Sequence, residues 1–149
     1  MVSRQGRRHL GLHNVGFQGF WFGKRDWKEL IPKFEFLLRR HPPPKFVLIQ
    51  LGSNDLGTVK CWQLAENIIC HILRIHALMP NMLIVWSDIL QRRYWHNANN
   101  GKSIEKTRKR VNLLVRNQVR PKKKICVFTV TRPTLIFASD PMHFYTEFG

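Results

Sequence analysis

The chain has 149 residues, with 25 Lys or Arg against 9 Asp or Glu and a formal net charge of +16. Its length suits one domain, which buries roughly two-thirds of the surface its unfolded chain exposes. The 44% of hydrophobic residues, with ten Phe and five Trp, exclude the composition of a disordered chain. No apolar run approaches the roughly 20 residues of a membrane span, and the start, Met1 to His9, has no apolar signal-peptide core. The expected location is therefore intracellular, cytoplasmic or nuclear, with no membrane partner.

Residues 1–19 carry no periodic pattern and read as an irregular start. From Trp27 the apolar residues Trp27, Leu30, Ile31, Phe34, Leu37 and Leu38 recur at spacings of three and four, which predicts a helix over 27–40 with one face on a core. Pro32 is tolerated in the first turn if the helix begins near Lys28, and His41-Pro42-Pro43-Pro44 ends it. Lys45 to Leu51 is a short unbroken apolar run bounded by Pro and Gly, the pattern of a strand covered on both faces. Gly52-Ser53-Asn54-Asp55 supplies four turn formers in a row.

Leu64, Ala65, Ile68, Ile69, Ile72, Ile75 and Met79 mark a second helix over 60–79, closed by Pro80 and Asn81. Met82 to Asp88 is a second covered strand, and Ile104, Val111, Leu114 and Val115 mark a third helix over 103–119. A third strand follows at 125–130. Residues 120–149 are the least patterned, with Lys122-Lys123-Lys124 ahead of a Thr/Pro-rich stretch. This order predicts one α/β domain over 1–149: a three-layer sandwich with a parallel sheet, right-handed crossovers and helices on both faces. Cys61, Cys70 and Cys126 are odd in number and lack a CxxC pair, so they read as buried thiols; neither a metal site nor a cofactor is indicated.

In such a sheet, ligands bind beyond the carboxyl ends of the strands, which puts Gly52 to Leu56 in the best position for chemistry. A glycine there lets the chain turn sharply, and the Asn54 amide can donate to an oxyanion. The competing reading is a plain strand-to-helix turn in which Asn54 or Asp55 caps the helix. Near the end of the sequence, Asp140-Pro141-Met142-His143 places a carboxylate three positions before an imidazole.

Val47 to Leu56, with Gly52, Asn54 and Asp55, resembles the Gly-x-Asn-Asp block of the SGNH (GDSL-type) hydrolases, and Asp140 to His143 resembles the last block of the same family, Asp-x-x-His before a final helix. Ile84 to Leu90 with Arg92-Arg93-Tyr94-Trp95, and Ile104 to Asn112, are similar to a strand, loop and helix of SGNH-like domains encoded in vertebrate mobile elements. Trp21 to Arg25 resembles the run into their second block. The resemblance spans about Gly11 to Gly149 and is strongest from 20 to 120. It implies a flavodoxin-like sheet and ester hydrolysis in intact relatives. His143 would be the general base, Asp140 its orienting partner, and Asn54, with Gly52 shaping the turn, the oxyanion donor. The second block's oxyanion glycine corresponds to Asp26, with Gly23 as the alternative.

The family's nucleophilic serine sits in a Gly-Asp-Ser or Gly-His-Ser turn after a first strand. No such turn is present, and Ser3, the only serine before Ser53, lacks a preceding apolar run. The expectation is an N-terminally truncated, incomplete sheet and an inactive copy, with an exposed edge where the first strand belongs, prone to self-association. Loss of the nucleophile alone removes nearly all of such a triad's catalysis.

A second reading rests on charge. From Arg92 to Lys124 there are twelve Lys or Arg against one acidic residue, Glu105. Arg92, Arg93, Lys106, Lys109, Arg110, Lys122, Lys123 and Lys124 are candidates for non-specific contact with nucleic-acid phosphate, and Tyr94 and Trp95 for base stacking. The bland alternative is a solvated helix face with Trp95 in the core.

Overall fold

The computed structural model describes residues 3–4, 17–21, 27–92, 94–95, 99–129 and 143–147. Asp140, Gly23, Asp26 and Arg93 lie outside the described residues, and of His143 only the backbone is described. The elements in chain order are β1 (Ser3–Arg4), β2 (Phe17–Trp21), a 3₁₀ turn (Trp27–Glu29), α1 (Leu30–Arg40), β3 (Phe46–Gln50), α2 (Cys61–Leu78), β4 (Leu83–Ser87), α3 (Gly101–Val119), β5 (Ile125–Phe128) and β6 (His143–Glu147).

Each of the three helices forms where apolar periodicity places it. In α1 the buried residues are Leu30, Ile31, Phe34 and Leu37. Pro32 is its third residue, within the turn whose N–H groups have no intrahelical acceptor. The helix stops when His41 turns extended, its N–H still reaching Leu37 O at 2.9 Å. In α2 the core stripe is Leu64, Ala65, Ile68, Ile72 and Ile75, and in α3 it is Ile104, Val111, Asn112, Val115 and Val119. Asn100 caps α3, its side chain accepting from the N–H groups of Lys102 and Ser103.

The strands β3, β4 and β5 are parallel neighbours, with Val47 opposite Ile84, Ile49 opposite Trp86 and Ile84 opposite Ile125. The full order is β1-β2-β6-β3-β4-β5. β6 runs antiparallel to both β3 and β2, so β2 is parallel to β3. The crossovers β2 to β3, β3 to β4 and β4 to β5 therefore all advance in one direction. Right-handed connections then carry α1, α2 and α3 on the same face.

Burial follows that rule. Val47, Ile49, Ile84 and Trp86 are fully buried, whereas Phe46, Leu48, Leu83 and Val85 between them are half-exposed. The sequence expectation of strands covered equally on both faces is thus corrected: their apolar runs are continuous, but the described helices make one layer. The cysteines are corrected too. Cys61 packs against the core at the first turn of α2 and is only partly exposed, whereas Cys70, on the solvent side of α2, and Cys126, on the outer side of β5, are exposed.

The sheet is mixed rather than all parallel, and the edge expected beside β3 is not open. β6 fills it, pairing Val47 with Thr146, Leu48 with Tyr145, Ile49 with Phe144 and Gln50 with His143.

Candidate functional site

Two loops leave the carboxyl ends of neighbouring parallel strands. The first follows β3. Gly52 has φ 112°, in a region that L side chains avoid, and Gly57 has φ 87°. Between them the chain coils on itself: Asp55 N donates to Gly52 O at 3.3 Å, and the Asp55 carbonyl accepts from Thr58 N at 3.2 Å, Thr58 Oγ1 at 3.1 Å and Val59 N at 3.0 Å. Asp55 and Leu56 are buried while Ser53 and Asn54 stay half-exposed. The Asn54 amide makes no hydrogen bond to any described residue.

Neither Asn54 nor Asp55 caps α2. That helix begins at Cys61, and its N-cap residue, Lys60, makes no side-chain cap bond. The capping explanation of the Gly-Ser-Asn-Asp turn is therefore set aside.

The second loop, after β4, is the opposite case: side chains of α3 hold its first residues, Asp88 and Ile89. Asn112, only 2% exposed, accepts from Ile89 N at 2.9 Å and donates to Ile89 O at 3.0 Å. Arg108 also donates to Ile89 O, at 2.7 Å, while gripping Glu105 through Nε at 2.9 Å. Arg116 forks onto Asp88, with Nη2 to Oδ2 at 2.8 Å and Nε to Oδ1 at 3.3 Å.

Burial raises the Asp88 carboxyl above the usual carboxylate range; the charge and hydrogen bond of Arg116, a hydrogen bond from Thr129 and the charge of Arg108 draw it back only in part. A perturbed carboxyl at a strand end is the usual mark of a catalytic acid. Here all its partners are structural, and Asp88 is read as the anchor of α3 on β4.

Arg92 bridges the two loops. Its Nη2 donates to Ser53 Oγ at 3.3 Å, its guanidinium lies 5.5 Å from the Trp95 ring centre, and burial lowers its pKa. Trp95 packs against the core, as the bland reading expected, while Tyr94 is 72% exposed. Arg92 is thus a tie between the two loops.

The His143 backbone pairs with Gln50, the last residue of β3 and two positions before Gly52. The sheet therefore brings the start of β6 to the same end as the Gly52 turn. Comparison with protein-family models, curated proteins and solved structures gives no match.

Of the remaining candidates, Lys106, Lys109, Arg110, Lys122, Lys123 and Lys124 are all exposed. The residues that sequence reasoning missed are Asn112, Arg108 and Arg116. Asn112 carried a signal, being a polar residue inside an otherwise apolar helix stripe; the two arginines were hidden among ten other basic residues.

Proposed function

We propose that this chain is an SGNH-type esterase-like domain that keeps the oxyanion and base half of the active site and lacks the nucleophile. The observation that carries the reading is the β3 end. There a glycine at positive φ is followed by a half-exposed asparagine with no partner among the described residues, and the backbone of His143 lies in register with the strand's last residue. An oxyanion donor has to be uncommitted in the resting protein, and base and donor must surround one reacting carbon.

Strand order supports the same reading. In a doubly wound sheet of order 2-1-3-4-5 the first strand lies between the second and third. Here β2 and β3 flank β6 instead, as if the C-terminal segment occupied the place of a first strand that these residues do not supply. The departure from the family pattern is that His143 opens a strand, where the resemblance implies a helix after the histidine.

In this reading an incoming ester carbonyl would be held by Asn54 and backbone N–H groups, and His143 would be the base for a hydroxyl nucleophile. The chain should cleave small activated esters no faster than buffer does. An apolar strand ending in Gly-Asp-Ser, grafted ahead of Gly11, tests the proposal. If its serine reaches the Gly52 end of the sheet while the backbone of His143 stays beside Gln50, cleavage should appear. His143→Ala should abolish the gain, and Asn54→Ala should lower it about a hundredfold, the usual loss for one oxyanion donor. A folded graft that keeps this β3–β6 pairing, brings its serine to that end and gains no activity refutes the reading.

A further inference from the structure

The outer side of α3 is a line of cations whose internal partners are used up elsewhere. At about 100° per residue, Lys102, Lys106, Lys109 and Arg120 fall within a stripe roughly 60° wide. That stripe faces away from the buried Ile104, Val111, Val115 and Val119. Lys102, Lys106, Lys109, Arg110 and Arg120 are exposed, as are Lys122, Lys123 and Lys124 in the turn that follows. The one acid of the helix, Glu105, is neutralised by Arg108, with Nη2 reaching Oε1 at 2.5 Å. Arg116 is spent on Asp88. No exposed acidic side chain interrupts the stripe from Lys102 to Lys124. At 1.5 Å rise per residue it runs about 27 Å from Lys102 to Arg120 before the lysine turn extends it.

We infer that this stripe is a docking surface for the phosphodiester backbone of a nucleic acid, bound by charge and without reading sequence. A straight, narrow row of solvated cations matches a linear polyanion. A membrane surface would favour a broader patch with several apolar residues to insert, and within the stripe only Leu113 is both apolar and exposed. The selection is of geometry, since Arg108 and Arg116 contribute charge to the helix but none to its outer face.

The net charge of +16 would give some binding to any polyanion, so the test compares variants of equal charge. Binding of a fluorescent single-stranded oligonucleotide of mixed sequence is measured by anisotropy across a salt series. One variant carries Lys102→Glu, Lys106→Glu and Lys109→Glu. The control carries Lys28→Glu, Arg39→Glu and Lys60→Glu, three cations exposed elsewhere, and thermal denaturation confirms that both variants fold. The stripe variant should lose affinity by at least about tenfold more than the control. Its log-log salt slope should flatten by about 2, from the loss of three contacts at about 0.7 each. A scrambled oligonucleotide should bind as well as the first. Equal losses in the two variants would overturn the proposal, because whole-molecule charge would then explain the binding. Stripe-dependent binding to phosphatidylserine vesicles with none to the oligonucleotide would overturn it in favour of a membrane surface.

Discussion

Two neighbouring strand ends in this sheet carry polar residues, and they are built in opposite ways. Beyond β4, Asp88 and the backbone of Ile89 are gripped by Arg116, Arg108 and Asn112 from α3. Beyond β3, the loop satisfies its own backbone and leaves the Asn54 amide uncommitted among the described residues. A buried polar group with every partner supplied is there to fix a helix on a strand. A half-exposed one without such partners is either incidental or waiting for a ligand. Proximity to the carboxyl end of a parallel strand does not separate the two; the hydrogen-bond partners do.

The contrast is broken most severely at Asn112. Asn112→Ala should cost about 1–3 kcal/mol in chemical denaturation, since it strands the buried N–H of Ile89 and removes one of the two donors to its carbonyl, leaving Arg108 alone there. A loss below about 1 kcal/mol would mean that the β4 loop is not held as described.

Arg116→Ala should cost about 1–3 kcal/mol near neutral pH by leaving the Asp88 carboxylate buried without its ion pair. The pH dependence has a definite sign. Burial raises the folded carboxyl above its unfolded value of 3.8, so the folded state holds that proton more tightly. Asp88 therefore adds stability as pH falls into the window above 3.8, and that contribution is lost as pH rises through the folded value. Asp88→Asn should remove this slope from a plot of unfolding free energy against pH, and Arg116→Ala should steepen it.

Two smaller effects sharpen the comparison. Lys124 holds φ 68° without being glycine, just before β5, and Lys124→Gly should raise stability by about 0.5–1 kcal/mol. Asn54→Ala should change stability by less than about 0.5 kcal/mol, the expectation for a residue with no structural partner. A large loss at Asn54 would place it with Asn112 and end the contrast.

Much of the central architecture is legible in the sequence, because local signals and tertiary placement agree there. Phe46 to Gln50 and Leu83 to Ser87 are short apolar runs between Pro, Gly and turn residues, and the stripes of α1, α2 and α3 recur at helical spacing. The place of His143 to Glu147 is not legible. Its five residues, His-Phe-Tyr-Thr-Glu, neither alternate nor form a strong apolar run, and pairing with β3 is a non-local choice that only the assembled sheet makes. The single helical layer escaped for a related reason: it follows from the spatial order of β2, β3, β4 and β5, which no local pattern states. At the candidate site, the Gly52 turn and Asn54 could be read from residue type alone. Which arginines are tied down could not, since Arg108 and Arg116 differ from Lys106 and Lys109 only in the face of α3 they occupy.

The proposed function requires that Asn54 and His143 meet at one strand end. The direct test is to follow the Asn54 side-chain amide by NMR while the imidazoles titrate, which for an unperturbed ring centres at about pH 6.5. The account predicts that the Asn54 resonances shift with the titration of His143 and that the shift vanishes in His143→Ala. An Asn54 amide that ignores the titration, or a shift that survives the loss of His143, would contradict it.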